Sequence, residues 1–324
     1  MTHTCPNCGR IGIIKRKDSL EIWHCPWLDC KYEGNGPKKY EPILDKLKYG
    51  NVVSYEHLES AQNNGCLPKM SCIIPFAKSL DPQRDNALKL LFDCFHNQTF
   101  QDFEIIVVEH RRDNSWGSFP YLVDKHIVVV DNRPFNKAWC CNVGAKVAKT
   151  ENLVFHDADV LFGQDYLQKV YDFSAYHDLF SGWSSFRCMP GKDNPYLRIH
   201  VPKTIHCLVG AWYARKSFFW NTFGGWNEDY FGYGREDSDT WHRARYVCGG
   251  KVANLDYSLV HYYHNWHPPN GPNPLNLNDD RGNAILKTCM NTPEEIVKKL
   301  LAVKDRLGNP DHPTPLFGEN YGKD

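Results

Sequence analysis

The chain has 324 residues, of which 38 are basic, 38 acidic and 13 cysteine. Its 42% hydrophobic and 23% charged residues are typical of a globular protein and exclude a disordered or fibrous chain. The zero net charge argues against a protein that binds polyanions over its whole surface, and no apolar run approaches the roughly 18 residues of a membrane span.

Four of the 13 cysteines lie near the start of the chain as two closely spaced pairs, Cys5 with Cys8 and Cys25 with Cys30. Four thiolates are the ligand set of a tetrahedral structural zinc site, so the pairs predict a Zn²⁺-binding ribbon over residues 1–36. Segments 11–14 and 19–23 have the composition of its short strands. Two pairs of unrelated thiols are the alternative. Because the start of the chain has no secretory signal pattern, metal ligands and free thiols are favoured over disulfides.

The first 50 residues are mildly basic, with nine Lys and Arg against six Asp and Glu, 9 − 6 = +3. Basic residues interleaved with aromatic ones fit a nucleic-acid contact through the ribbon. Docking of the ribbon on the chain's own catalytic domain, or on a protein partner, explains the same pattern. Glycine and asparagine breaks then predict a linker over residues 37–70.

An alternation of strands and helices begins at residue 71 and predicts a domain over residues 71–308, followed by a tail over 309–324. Short, largely apolar runs at 72–75, 103–108, 126–130 and 152–155 are typical of strands buried on both faces of a parallel sheet. Helices are predicted after Asp81-Pro82 and over residues 135–149. The fold class is therefore α/β, with an open sheet whose ligands bind beyond the carboxyl ends of its strands. Neither a dinucleotide-binding nor a P-loop glycine motif follows any strand.

Three groups of polar residues are candidates for chemistry. Asp157 and Asp159 leave a buried strand one residue apart and could hold a divalent cation that grips a diphosphate. Glu236, Asp237 and Asp239 follow a glycine- and aromatic-rich stretch, which indicates a sugar-binding loop; acidic residues favoured at a helix N-terminus are the alternative. The histidines at 261, 264 and 267 could supply imidazole ligands or form an exposed cluster.

These motifs stand in a fixed order along about two thirds of the chain: Ile73-Ile74-Pro75-Phe76, Phe135-Asn136-Lys137-Ala138, Asn142-Val143-Gly144, Phe155-His156-Asp157-Ala158-Asp159, Gly225-Trp226, Tyr230 through Asp239, Arg243, His264 and Pro272-Asn273. The ordered series resembles the GT-A glycosyltransferases, and most closely the beta-1,4-galactosyltransferase family. The resemblance implies a GT-A type, mainly parallel nucleotide-binding sheet with helices on both faces, here preceded by the zinc ribbon.

The resemblance also implies a metal site that binds Mn²⁺ or Mg²⁺. Asp159 is similar to the family's D-x-D metal ligand, and His264 matches its metal-binding histidine. His261 stands where the family commonly has methionine, a change from thioether to imidazole that alters metal preference.

For the nucleotide-sugar donor, expected to be a UDP-hexose, the resemblance implies contacts from Pro75, Phe76, Lys78, Glu109, Phe135, Lys137, Asp157 and Tyr233. Lys137 replaces the usual arginine, so a bidentate contact becomes a point charge. Tyr233 replaces a tryptophan of the family's mobile loop.

The acidic pair Glu236 and Asp237 matches the family's catalytic pair, with Asp237 expected as the base. The resemblance thus implies a metal-dependent inverting transfer of a sugar to an acceptor hydroxyl.

Two departures concern the acceptor. The familiar members are anchored secretory proteins, whereas this sequence shows no anchor and carries a ribbon, so we expect a cytoplasmic enzyme, in the host cytoplasm if a phage encodes it. A modified base in nucleic acid, reached by base flipping, is the preferred acceptor, and a polysaccharide or other glycan is the alternative. A non-catalytic, zinc-dependent nucleic-acid-binding protein on the same fold is a further alternative.

Overall fold

The computed structural model divides the chain into two compact units, Met1–Cys66 and Leu67–Asp324. The structure describes residues 2–4, 11–17, 20–24, 33–35, 68–77, 82–112, 119, 121–181, 186–188, 199–200, 210–232, 234–254, 262–264 and 280–318. Several residues with predicted roles lie outside these ranges: Cys5, Cys8, Cys25, Cys30, Lys78, Tyr233 and His261.

The N-terminal unit contains a four-stranded antiparallel sheet in the order β1-β2-β3-β4. Its strands are β1 (Thr2–Thr4), β2 (Ile11–Lys17), β3 (Leu20–His24) and β4 (Glu33–Asn35). The two strands predicted between the cysteine pairs correspond to β2 and β3. The zinc ribbon itself stays a prediction, because its four cysteines are outside the described residues.

The C-terminal unit is an α/β domain. Its described strands are β5 (Met70–Phe76), β6 (Phe103–Arg111), β7 (Lys125–Val130), β8 (Asn152–His156), β9 (Val160–Phe162), β10 (Leu179–Ser181), β11 (Phe186–Cys188), β12 (Ile199–His200), β13 (Ala211–Arg215), β14 (Ala253–Asn254) and β15 (Tyr262–His264). Its described helices are α1 (Pro82–His96), α2 (Lys137–Val147), α3 (Tyr166–Ser174), α4 (Glu236–Val247), α5 (Asp280–Asn291) and α6 (Pro293–Val303). A short helical turn, Lys216–Phe218, continues into a π-helical segment, Phe219–Phe223.

The main sheet has seven strands in the order β14-β10-β13-β8-β5-β6-β7. Strands β8, β5, β6 and β7 are mutually parallel, and they are the four strands predicted from the apolar runs. Strand β13 runs antiparallel to β8 and β10. The carboxyl ends of the four parallel strands therefore share one edge, where a ligand site of an open α/β sheet is expected.

Both faces of the sheet are covered, as the apolar runs predicted. Cys72 and Ile74 of β5 belong to the core that includes α1, whereas Ile73 belongs to the core on the opposite face, with Trp139 of α2. Helix α2 begins at Lys137, two residues after the predicted start, because Asn136 is its N-cap and its side chain accepts a 2.8 Å hydrogen bond from the Trp139 amide.

A second sheet has the order β12-β11-β15-β9, and its strand β9 directly follows the D-x-D motif in the sequence. Strand β15 pairs antiparallel with β9, and His264 is opposite Val160. The backbone of His264 is thus held beside the residue that follows Asp159.

The described residues of the predicted tail, 309–318, are packed against the domain. Leu307 and Phe317 join Tyr230 in a third apolar cluster, and the Trp139 indole donates a 2.6 Å hydrogen bond to the carbonyl of Asn309. The domain therefore continues at least to residue 318. Among the described residues, no helix is long and apolar enough to cross a membrane.

Candidate active site

The D-x-D motif leaves the sheet at its carboxyl edge. Asp157 follows β8 directly, and its amide donates a 2.7 Å hydrogen bond to the carbonyl of Gly210, just before β13. This bond closes the end of the β8–β13 pair and fixes where the motif turns away. Asp157 and Asp159 are both only partly buried, so their carboxylates lie at the edge of the domain rather than inside its core.

The acidic pair stands in the first turn of α4, which Glu236 begins. The turn before it is unusual, since Gly234 has φ +89° and Arg235, a non-glycine residue, has φ +79°. Left-handed backbone at a non-glycine residue costs of order 1–3 kcal/mol and is concentrated at functional sites. The carboxylates at the helix start are favoured by the helix dipole, and the turn delivers them to the carboxyl edge of the sheet.

Lys137 joins these two acidic groups. Its Nζ lies 2.7 Å from Asp157 Oδ1 and 2.9 Å from Asp237 Oδ1, and Glu236 Oε1 is 3.9 Å away. The ammonium also lies 5.7 Å from the centre of the Trp226 ring, within reach of a cation–π interaction. One cation thus connects the start of α2, the end of β8 and the start of α4.

The charges of this cluster shift one another's protonation. Burial raises the pKa of Asp237 well above its usual value, Glu236 and Asp157 raise it further, and the Lys137 ammonium opposes them. Burial likewise raises the pKa of Glu236. Burial alone would lower the pKa of Lys137, but the carboxylates of Asp157, Asp237 and Glu236 raise it well above the usual value. The lysine is therefore charged at neutral pH, and Asp237 is a stronger base than an ordinary carboxylate.

A narrow pocket adjoins this cluster, and Lys137 and Asp157 are among the residues that line it. Three of its lining residues are predicted donor residues: Pro75, Lys137 and Asp157. Sequence reasoning did not select the other five as site residues: Cys141, Phe155, His156, Gly210 and Trp212. His156 is buried among aromatic rings, and its pKa is lowered to about 4, chiefly by burial. The imidazole is therefore neutral at physiological pH.

The other predicted donor residues lie along the ends of β5, β6 and α2. Phe76 is paired with Glu109 in the sheet register but packs into the core against Phe119, with 6.4 Å between ring centres. Phe135 stacks on His110 with 6.0 Å between centres. These side chains border the same edge of the sheet as Lys137, and their contacts with a nucleotide stay predictions.

Glu109 is more heavily engaged than the sequence indicated. Its Oε2 accepts hydrogen bonds from Arg111 at 2.9 Å and from His126 at 2.8 Å, and the residue is only 2% exposed. Burial would raise the pKa of Glu109, but these two hydrogen bonds and the charges behind them lower it. A ligand that hydrogen-bonds to the Glu109 carboxylate therefore binds beside Arg111 and His126, which already donate to it.

Of the three residues predicted to bind a divalent metal, the structure describes Asp159 and the backbone of His264, whereas His261 lies outside the described ranges. Residues opposite each other in an antiparallel pair have Cα atoms about 4.5–5.5 Å apart, so the pairing of His264 with Val160 brings the backbones of His264 and the D-x-D motif together. A carboxylate suits Mn²⁺ or Mg²⁺, and imidazole is a ligand of divalent transition metals. Within the described ranges, no three His, Cys, Asp or Glu side chains cluster closely enough to hold an ion.

Sequence reasoning did not select Glu228 and Asp229, which precede the acidic pair Glu236 and Asp237 in the sequence. Both side chains are fully buried; Glu228 accepts a hydrogen bond from the Thr314 amide and Asp229 accepts one from the Leu316 amide. The available signal was an acidic dipeptide directly after Gly224-Gly225-Trp226-Asn227, where two carboxylates follow a glycine-rich turn and need buried partners.

Comparison with solved structures supports the fold. Staphylococcus aureus TarS (residues 1–349) in complex with UDP-GlcNAc is 15% identical with a TM-score of 0.51, and the match covers 72% of this chain and 70% of that one. A mutant Drosophila beta-1,4-galactosyltransferase 7 in complex with manganese, UDP-Gal and xylobiose is 18% identical with a TM-score of 0.39, covering 58% of this chain and 64% of that one. At such an identity the TarS likeness concerns the fold alone, and the galactosyltransferase match, with a TM-score below 0.5, carries no argument.

Sequence comparison identifies the family. No curated protein sequence matches the chain. The profile described as glycosyl transferase family 2, in contrast, matches residues 71–249, which is more than half of the chain and includes β5, the D-x-D motif and the acidic pair. This protein therefore belongs to glycosyl transferase family 2 and is a glycosyltransferase with a GT-A type α/β domain.

Proposed function

We propose that the protein transfers a hexose from a nucleotide sugar, a UDP-hexose, to an acceptor hydroxyl with inversion at the anomeric carbon. The observation that carries this proposal is the convergence of Asp157, Asp237 and Glu236 on Lys137 at the carboxyl edge of the parallel sheet. Cations and carboxylates at one sheet edge can serve a diphosphate and a hydroxyl at the same time.

Asp237 is the proposed base. Its pKa is raised by burial, so its carboxylate accepts a proton from the acceptor hydroxyl more readily than an exposed aspartate does. The hydroxyl oxygen forms the new bond to the anomeric carbon as the bond from that carbon to the diphosphate oxygen breaks. The electron pair of the broken bond leaves with the nucleoside diphosphate, and a single displacement inverts the configuration.

Lys137 has two roles in this proposal. In the absence of donor its ammonium balances the charge of Asp157 and Asp237. The same ammonium can also stabilise negative charge on the diphosphate leaving group, as a lysine does in many phosphate sites. Pro75, Phe76, Lys78, Glu109, Phe135, Asp157 and Tyr233 complete the proposed donor site.

Asp159, His261 and His264 are the proposed ligands of a divalent metal, Mn²⁺ or Mg²⁺. The register that brings His264 opposite Val160 supports this set for two of its members. When bound, the metal would neutralise charge on the leaving diphosphate. This ligand set is proposed because the order of motifs in the sequence resembles that of the beta-1,4-galactosyltransferases.

Release of nucleoside diphosphate is the test. Purified protein is incubated with UDP-glucose, UDP-galactose or UDP-GlcNAc, with Mn²⁺ or with a chelator, and UDP is measured. We expect Mn²⁺-dependent release with one donor, and a loss of about 100-fold to 10,000-fold in Asp237→Asn with donor affinity unchanged. Asp178→Asn, which changes an exposed ion pair with Arg215, is the control. Near-normal UDP release by Asp237→Asn would show that another group is the base.

For the acceptor, we propose a hydroxyl on a modified base in nucleic acid. The proposal rests on the +3 charge of the first 50 residues and on the predicted zinc ribbon. Hydroxymethylated DNA, unmodified DNA and a panel of glycans are offered with the active donor, and products are read by mass. Addition of one hexose to the hydroxymethylated DNA alone supports the proposal, whereas transfer to a glycan alone overturns it in favour of a polysaccharide acceptor.

A further inference from the structure

The loop between the sheet and the acidic pair is held by two buried carboxylates. Glu228 Oε1 accepts hydrogen bonds from Asn142 Nδ2 at 2.8 Å and from the Gly308 amide at 2.7 Å. Its Oε2 accepts one from the Thr314 amide at 2.6 Å. Two of the three donors are backbone amides of the C-terminal segment, defined here as residues 304–318.

Asp229 repeats the arrangement on the next residue. Its Oδ2 accepts a 2.7 Å hydrogen bond from the Leu316 amide, and its Oδ1 accepts one of 3.2 Å from the Phe317 amide. Arg281 of α5 pairs with Oδ1 at 2.7 Å and so balances the charge. Four backbone amides of the C-terminal segment therefore end on two adjacent carboxylates.

The same loop is tied on its other side to α2, the helix that carries Lys137. Asn142 exchanges two hydrogen bonds of 2.9 Å with the backbone of Trp226, and Asn136 Nδ2 donates one of 2.7 Å to the carbonyl of Glu228. Gly308 packs directly on this helix, since a Cβ there would lie 2.6 Å from the carbonyl oxygen of Asn142. The C-terminal segment and α2 thus hold the loop between them.

These anchors stand just before the strained turn that starts α4. Seven residues separate Glu228 from Glu236, and they include Gly234 and Arg235 with positive φ. A turn of unfavourable backbone conformation persists only where its surroundings hold it in place. Beyond the turn, Arg243 of α4 is bound to Asp239 and to the carbonyl of Gly225, so both flanks of the turn are fixed.

We propose that the C-terminal segment 304–318 is a positioning element of the transferase, which acts through Glu228 and Asp229 to set the place of Glu236 and Asp237. The segment lies beyond the residues that match the family profile, which end at 249. The catalytic consequence rests on the proposed function of Asp237, whereas the structural coupling does not.

Two truncated chains test the proposal. A chain that ends at Asn309 loses the amides of Thr314, Leu316 and Phe317, whereas a chain that ends at Gly318 keeps every contact described above and is the matched control. Hydrogen exchange of the amides in residues 234–247, donor affinity and the rate of transfer are measured for both. We expect faster exchange and a fall of about 100-fold in kcat for the shorter chain, with donor affinity within about threefold. The control should match the full chain.

A second pair of variants covers the case in which the shorter chain does not fold. Thr314→Pro removes the amide donor to Glu228, and Thr314→Val keeps it while removing only the hydroxyl. Thr314→Pro should reproduce the faster exchange and the slower turnover, and Thr314→Val should not. Unchanged exchange in residues 234–247 in folded Thr314→Pro would overturn the coupling. Faster exchange with no change in kcat would instead count against the role proposed for Asp237, and no transfer by the full chain with any donor would count against the proposed function.

Discussion

Lys137 and Asp237 are 100 residues apart in the sequence, yet Nζ of one lies 2.9 Å from Oδ1 of the other. Asp157, 2.7 Å from the same Nζ, completes a carboxylate–ammonium–carboxylate arrangement at the end of the parallel strands. All three side chains are partly buried, and an ion of either sign that has lost part of its hydration is stabilised by an opposite charge. Each of the three groups therefore depends on the other two, and a change of one charge should be felt at the proposed base.

The first prediction concerns the pH dependence of transfer in Lys137→Met. The Lys137 charge opposes the effects of burial, Glu236 and Asp157, all of which raise the pKa of Asp237. Without that charge the pKa of Asp237 rises further, and the ionised base is present only at higher pH. The acidic limb of kcat against pH should therefore move to higher pH. Lys137→Arg keeps the charge and should leave the limb closer to its original place. An acidic limb that stays in place in Lys137→Met would mean that Asp237 does not set it.

The elements that carry the site were predictable because local pattern determines them. Four apolar runs identified the parallel strands, and the helix predicted over residues 135–149 starts two residues before α2 begins at Lys137. The position of the D-x-D motif then followed from the rule for open sheets.

The partners within the site were not predictable, because tertiary packing selects them. Glu228 is bound by residues 80 and 86 positions away along the chain, and nothing in the local sequence identifies those amides. Strand β13, antiparallel within an otherwise mostly parallel sheet, was missed for the same reason. The C-terminal residues carry few apolar side chains, so no apolar pattern predicted that they are packed. Their backbone amides hold them instead.

The second prediction tests the metal ligands without using activity. Asp159→Asn replaces a carboxylate that the proposed Mn²⁺ site needs and should weaken Mn²⁺ binding, read by titration calorimetry or electron spin resonance, by at least about tenfold. Asp178→Asn again serves as the control, since Asp178 is half exposed and paired with Arg215. Equal Mn²⁺ affinity in the two variants would exclude Asp159 as a ligand.

The third prediction concerns the buried ion pair of Asp239 and Arg243 in α4. Both side chains are 0% exposed, Arg243 Nε lies 2.7 Å from Asp239 Oδ1, and the guanidinium stacks 4.4 Å from the centre of the Phe223 ring. Arg243→Met leaves a buried carboxylate without its cation and should lower the free energy of unfolding by about 3–5 kcal/mol. Lys298→Met breaks an exposed pair with Glu294 and should leave the free energy of unfolding nearly unchanged. The free energies of unfolding are measured with urea. If Arg243→Met loses as little stability as Lys298→Met, Asp239 has found another partner.

The last prediction follows from the environment of Glu228. Burial raises the pKa of its carboxyl from 4.5 to about 7, even though the amides of Thr314 and Gly308, the Asn142 side chain and the more distant Lys146 charge all act to lower it. In the unfolded chain the group titrates near 4.5, so between about pH 4.5 and 7 the folded protein binds more protons than the unfolded one. Its contribution to stability is therefore greatest below the unfolded pKa and is lost as the pH rises to about 7.

Glu228→Gln isolates this contribution because glutamine does not ionise. At about 1.4 kcal/mol for each unit of pKa, the folded protein should lose up to about 3 kcal/mol between pH 4.5 and 7.5 through this group, and the variant should lack that loss. Buried His156, with its pKa lowered to about 4, destabilises the fold as the pH falls below the usual histidine value, but it is common to both proteins and cancels in their difference. Urea unfolding at several pH values gives that difference directly, and the exposed variant Glu294→Gln should follow the unaltered protein. If Glu228→Gln and the unaltered protein lose stability in parallel, Glu228 ionises at its ordinary pKa and the C-terminal segment is not held by a carboxylate that titrates near neutrality.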